Sequence, residues 1–131
     1  MSYLLDTTVF VWLLQEPEKL NPRALALIED KSQDVFLSSV TSWEVVIKFA
    51  TGKLTLPKKP AELFSEIFTN FSFQPLPITH AHSLAVGELE FHHRDPFDRM
   101  LVAQARSEKL VLITADEEIK RYPVEILWCG K

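Results

Sequence analysis

Asp6, Glu44, Asp98 and Asp116 stand out because each follows a strand signal or falls in the opening turns of a helix. If the strands run parallel, all four meet at one edge of one sheet. Ionised carboxylates gathered that closely repel one another, and without a counter-charge at least one keeps its proton. Hard divalent cations relieve the repulsion, since Mg2+ and Mn2+ prefer oxygen ligands and tolerate several waters. Two such ions roughly 3.5–4 Å apart activate a water and steady the leaving oxygen of a phosphodiester. Metal-dependent nuclease chemistry is what this set of residues suits.

The elements that must position these acids are short and alternate along the chain. Tyr3-Leu4-Leu5 reads as a buried strand ending at Asp6, Val35-Phe36-Leu37-Ser38 as a second, and Val111-Leu112-Ile113-Thr114 as one ending just before Asp116. Glu44 falls in the first turns of a helix expected from about Thr41 to Thr51, stopped by Gly52. Asp98 comes from the opposite direction. Its helix, about Pro96 to Lys109, runs into the strand at Val111, and in a parallel α/β layout helices start at the edge where strands end. The crevice beyond those ends is the usual ligand site of open α/β sheets. Other helices are expected over Thr7 to about Gln15, from Pro22, over Ala61 to Phe71 and over Thr79 to about Leu89. Strands are expected at Phe73 to Pro77, whose prolines suit an edge, and at Glu125 to Trp128. The fold class is α/β: a three-layer α/β/α sandwich with a mostly parallel central sheet, in one domain over residues 1–131.

Each acid also has a purely structural reading. Asp6 and Asp116 suit helix N-caps, worth roughly 1 kcal/mol each. Glu44 can pair with Lys48 one turn on, although its neighbours Trp43 and Val45-Val46-Ile47 make its surroundings apolar. Asp95 before Pro96 fits an N-cap with proline at the first helical position, which leaves the Asp98 carboxylate free in the first turn. Four independent caps in this order are the poorer account of the set.

Four segments carry a family resemblance: Leu4-Leu5-Asp6-Thr7 with the apolar run after it, Ser42-Trp43-Glu44-Val45, Asp95-Pro96-Phe97-Asp98-Arg99-Met100-Leu101-Val102-Ala103-Gln104-Ala105, and Leu112-Ile113-Thr114-Ala115-Asp116. Together they resemble a PIN-domain ribonuclease of the VapC type, the toxin of bacterial and archaeal toxin–antitoxin pairs. The resemblance implies a PIN-like fold and an endoribonuclease that uses Mg2+ or Mn2+ to cut RNA. It implies that Asp6, Glu44, Asp98 and Asp116 hold the metal and carry catalysis, and that Thr114 supports them. Thr7 and Asp95 are expected to lend hydrogen-bonding support at the same place. The implied partners are an RNA substrate, a cognate antitoxin and a second copy of the chain. Three other readings compete with this one: an RNA-processing PIN nuclease without an antitoxin, a receiver-like phospho-acceptor module, and a haloacid-dehalogenase-like phosphatase. Thr7-Thr8 after Asp6 disfavours the last two, which need a second acid there.

Bulk properties agree with a small enzyme. At 131 residues and 47% hydrophobic, the chain has enough apolar material for a sizeable core. A single cysteine, Cys129, excludes an internal disulfide and suits a reducing, cytoplasmic setting. The longest apolar run, Val9 to Leu14, is far below the ~18 residues needed to span a bilayer, so neither export nor membrane insertion is expected. The net charge of −4 argues mildly against broad binding of a phosphate backbone. A local basic rim from Lys48, Lys53, Arg94 and Arg99 offsets this and supplies the candidate RNA contacts. His80 and His82 read as surface residues, and His92-His93-Arg94 as loop residues that can reach the site. The aromatic stripe Phe64, Phe68 and Phe71 is most simply core, while some of Val9, Phe10, Trp12, Leu63, Ile67 and Phe68 are expected to form a surface for a dimer or an antitoxin, because six consecutive apolar residues cannot all face inward on one helix.

Overall fold

Five short, β-branched or leucine-rich segments pair into one sheet in the computed structural model, which describes residues 1–131. The strands are β1 (Ser2–Leu5), β2 (Asp34–Ser38), β3 (Phe73–Leu76), β4 (Val111–Thr114) and β5 (Ile126–Trp128). All neighbours run parallel, in the order β3-β2-β1-β4-β5. The chain therefore builds outward from β1 on one side, then crosses back to place β4 on the other. That reversal between β1 and β4 opens a crevice at their carboxyl ends.

Parallel strands need crossovers, and six α-helices supply them: α1 (Thr7–Gln15), α2 (Pro22–Glu29), α3 (Ser39–Ala50), α4 (Pro60–Asn70), α5 (His80–Val86) and α6 (Pro96–Glu108). Successive strand side chains point to opposite faces, and here both faces are covered. Tyr3, Leu5, Val35, Leu37, Val111 and Ile113 face α1, α2 and α4. Leu4 and Leu112 point the other way, under Leu101, Val102 and Ala105 of α6. Leu4, Leu5, Leu112 and Ile113 are all fully buried, and such a side chain contributes roughly 1.5–3 kcal/mol. Pro75 lies in β3, an edge strand, where a missing N–H costs no ladder bond to an outer neighbour. No helix is long and apolar enough to cross a membrane.

Three expectations change. Helix α3 starts at Ser39 instead of Thr41, because the Ser38 hydroxyl accepts the Val40 N–H at 3.0 Å and so begins the helix directly at the end of β2. His82 is buried and not on the surface: its Nδ1 accepts the Thr79 N–H at 3.1 Å, and its Nε2 meets Glu108 at 2.8 Å. Val9, Phe10, Leu63 and Ile67 are not a docking surface, since all four are core residues and Phe10 stacks on Phe64 at 5.1 Å. The exposed apolar side chains of this region are Trp43, Val46, Ile47 and Phe49 on α3, with Phe68 on α4. Helix α1 buries Val9, Phe10 and Leu13 and leaves Val11, Trp12 and Leu14 half-buried, because the sheet lies on one side of it and α3 packs on another.

Candidate active site

Asp6 leaves the carboxyl end of β1 at the centre of the sheet. Its backbone N–H extends the ladder to the Ile113 carbonyl at 3.0 Å, which fixes the chain as it turns into α1. Its side chain makes no cap hydrogen bond to α1, so the capping reading does not describe it. Oδ2 accepts instead from the Thr114 hydroxyl at 2.8 Å, across the β1–β4 boundary. Thr114 also accepts the Asp116 N–H at 3.0 Å, so one hydroxyl ties together the acids at the ends of two adjacent strands. Asp116 accepts the Glu118 N–H at 2.9 Å in the turn after β4, but the 3-10 helix that follows, Ile119–Arg121, has Glu118 at its N-cap, so Asp116 does not cap it; Asp116 lines a cleft of about 240 Å³ together with Asp6, Thr8, Trp12, Ala115 and Glu117.

Glu44 comes from α3 and is buried, consistent with its apolar neighbours. Its Oε2 pairs with Lys48 at 2.8 Å, while Oε1 is the one buried side-chain oxygen with no hydrogen-bond partner. Asp98 enters from the first turn of α6. Asp95 just before it accepts the N–H groups of Phe97 at 2.9 Å and of Asp98 at 3.1 Å, so Asp95 is the N-cap. The Asp98 carboxylate is free of that work and meets His93 Nε2 at 3.2 Å.

The four acids feel one another. Burial, then the charges of Asp6, Asp95, Asp116 and Glu44, push the Asp98 carboxyl up to about 8. Burial raises Asp6 to about 6 against the pull of the Thr114 hydrogen bond, and the charges of Asp116 and Glu44 add to the rise. The hydrogen bond to Glu44 holds Lys48 above its ordinary range, helped by the charges of Glu44, Asp95 and Asp98. Cys129, whose N–H continues the ladder to the Thr114 carbonyl at 3.0 Å, is pushed up to about 12 by burial and by the charge of Asp6, so it stays a neutral thiol beside the crevice. As the side chains stand, no three acids or imidazoles converge closely enough to enclose an ion. Each acid is engaged by a group of the protein.

The supporting residues divide. Thr114 touches Asp6 directly. Thr7 instead shares a hydrogen bond of 2.9 Å with Thr41, a buried link between α1 and α3 on the Asp6 and Glu44 side. Thr41, expected only as a helix start, and Tyr122 are further residues of this network, and nothing in their local sequence marks them for it because their partners are distant along the chain. Of the basic rim, Lys48, Lys53 and Arg94 are exposed. Arg99 is not a candidate for RNA contact. It is buried, its Nη1 donates to the Glu90 carbonyl at 2.9 Å and to Tyr122 Oη at 3.0 Å, and its Nη2 reaches the Val86 and Leu89 carbonyls at 3.4 Å. Sequence alone showed a cation beside an acidic motif; only the fold shows that loop carbonyls occupy it.

The fold that this all-parallel five-stranded sheet builds is one that known proteins share. The PIN domain pattern matches residues 3–125, and the chain belongs to the PIN domain family. Ribonuclease VapC16 from Mycobacterium tuberculosis is 29% identical over 58 residues, which are 44% of this chain and 41% of that protein, so the match spans about two fifths of that relative's length. Among solved structures, VapBC2 from Rickettsia felis bound to a promoter DNA fragment aligns with a TM-score of 0.73 at 18% identity, over 98% of this chain and 99% of the other. DNA-bound VapBC from Salmonella typhimurium aligns at 0.70 and 19% identity, over 97% of each chain. FitAcB from Neisseria gonorrhoeae aligns at 0.69 and 21%, over 96% of each. At such identities these likenesses speak to the fold.

Proposed function

We propose that this chain is a Mg2+- or Mn2+-dependent endoribonuclease, the toxin of a toxin–antitoxin pair, with Asp6, Glu44, Asp98 and Asp116 as its metal-holding and catalytic set. One observation carries the reading most: buried Glu44 Oε1 lacks any partner at the edge where three other acids repel one another. A buried carboxylate oxygen left unpaired is costly, and a hard cation is the partner this oxygen-only donor set suits. When bound, such a cation supplies positive charge that lowers the pKa of a water and offsets the charge developing on phosphate. Thr114 keeps Asp6 oriented, Asp95 holds the start of α6 so that Asp98 faces the crevice, and exposed Lys48, Lys53 and Arg94 attract the RNA backbone.

The antitoxin part of the reading is supported by kinship: solved structures with this fold include toxin–antitoxin complexes, among them one from Klebsiella pneumoniae. It is also supported by the exposed apolar side chains Trp43, Val46, Ile47, Phe49 and Phe68, which suit an antitoxin or a second copy of the chain. The working unit is a single domain over residues 1–131 acting in the cytoplasm. The test is cleavage of a panel of folded RNAs by the purified chain with Mg2+, with Mn2+ and with EDTA, alongside expression with and without the neighbouring small gene. Full activity in EDTA overturns the metal reading. Unchanged growth on expression of the chain alone overturns the toxin reading.

A further inference from the structure

Beyond the acids, a chain of four side chains reaches the crevice from the core: Arg99, Tyr122, His93 and Asp98. Each link has a direction that the donors and acceptors dictate. Tyr122 Oη receives Arg99 Nη1–H at 3.0 Å and, more weakly, the His93 backbone N–H at 3.4 Å. Arginine cannot act as an acceptor, so the phenol must give its own proton elsewhere. The nearest acceptor is His93 Nδ1 at 2.8 Å; the His93 carbonyl lies further off at 3.4 Å. Nδ1 is therefore the accepting nitrogen, and Nε2 carries the N–H that faces Asp98 Oδ2 at 3.2 Å.

We infer that His93 is a positioning residue: in its Nε2–H tautomer, set by Tyr122 and Arg99, it holds the Asp98 carboxylate in the orientation that receives a divalent cation. The inference rests on the metal-dependent reading above. Asp98 needs such a restraint because Asp6, Asp95, Asp116 and Glu44 all repel it. An N–H donated to one of its oxygens secures the carboxylate and leaves the other oxygen for a ligand. A rigid ring with an acceptor at one end and a donor at the other spans Tyr122 and Asp98. The Tyr122 anchor is itself buried, and it follows the turn Ile119–Arg121 that comes after Asp116. His93 and Tyr122 thereby couple the Asp116 turn to the Asp98 helix.

Two measurements on the full chain test this. Ring 15N chemical shifts of His93 in metal-free protein are expected to report the Nε2–H tautomer, and Tyr122→Phe is expected to erase that preference. Mn2+ titration is expected to show roughly 10–100-fold weaker binding for His93→Ala, the usual cost of removing a hydrogen-bond partner of a metal-binding side chain. His93→Gln, which keeps a donor at similar reach, should recover most of the affinity, and Tyr122→Phe should fall between. Turnover should drop with affinity while KM for RNA at saturating Mn2+ holds. If His93→Ala fails to fold, His93→Gln and Tyr122→Phe carry the test. An Nδ1–H tautomer, or Mn2+ affinity in the folded variants equal to wild type, overturns the inference and leaves the nuclease reading standing. Wild-type protein that binds no Mn2+ overturns both.

Discussion

The Thr114 hydroxyl donates to Asp6 Oδ2 at 2.8 Å while accepting the Asp116 N–H at 3.0 Å, so a single buried oxygen sets the geometry of two acids from adjacent strands. Thr114→Val keeps the shape of the side chain and removes both bonds. Leaving buried polar groups unpaired costs about 1–3 kcal/mol, and that loss is expected in chemical denaturation of the variant. Thr114→Ser, which keeps the hydroxyl, should lose much less. The same pair compared in RNA cleavage should show Ser active and Val impaired.

Stability should depend on pH with a sign set by the crivice acids' raised carboxyls. Asp6 sits at about 6 and Asp98 at about 8 in the folded protein, against an ordinary value of 3.8. Between about pH 4 and pH 8 the folded state therefore holds protons that the unfolded chain has released, and stability falls wherever the unfolded state binds fewer protons. The contribution is fully present below about pH 4 and is lost as pH rises through 6 and then 8. Melting curves of metal-free protein across that window should show the decline. Asp98→Asn should flatten its upper part and be at least as stable as wild type at pH 8. Added Mn2+ should raise the melting temperature most at the alkaline end. A metal-free protein that gains stability from pH 5 to 8 contradicts this account.

Asp95 and Asp98 share one motif and do different work. Asp95 caps α6 through the N–H groups of Phe97 and Asp98, and asparagine caps about as well as aspartate. Asp95→Asn is expected to retain most cleavage and Mn2+ affinity. Asp98→Asn is expected to abolish cleavage and weaken Mn2+ binding by at least an order of magnitude, on the order of the ~1.4 kcal/mol or more that a lost charged ligand represents. Turnover and metal titration of the two variants decide between them, and a dead Asp95→Asn beside an active Asp98→Asn reverses the assignment.

Arg99 and Lys53 separate folding from substrate contact. Arg99→Met strands the Glu90 carbonyl and the Tyr122 hydroxyl that its guanidinium serves, and a loss of about 2–4 kcal/mol in unfolding free energy is expected. Lys53 is exposed, so Lys53→Met should cost less than about 0.5 kcal/mol. Its loss should instead weaken RNA binding and lower the salt dependence of that binding. Denaturation curves and RNA titrations over a range of ionic strength measure both effects.

Lys109 ends α6 in the left-handed region, at φ 57° and ψ 46°. A side chain there costs about 1–2 kcal/mol, partly offset in glycine by its greater chain entropy, so Lys109→Gly should stabilise the fold by about 0.5–1 kcal/mol. Thermal denaturation at fixed pH checks it, with cleavage unchanged because the residue lies at the far end of α6 from Asp98.

Sequence by itself determined the element order and the end of the sheet at which Asp6, Glu44, Asp98 and Asp116 gather. Strand runs such as Val111-Leu112-Ile113 and caps such as Asp95-Pro96 encode local geometry, and a parallel sheet converts local ends into a shared edge. Tertiary structure alone decided which neighbours each side chain meets. Phe10 and Leu63 stand among the candidates for spare apolar surface because a helix's periodicity says how many faces are apolar but not how many other elements cover them; here the sheet and adjoining helices bury both. Arg99 read as a free cation because the carbonyls of residues 86, 89 and 90 that enclose it arrive by a loop whose path no local pattern specifies. His93 gained its place from Tyr122, 29 residues away, and a hydrogen bond of that span exists only once the Asp116 turn has packed against the start of α6.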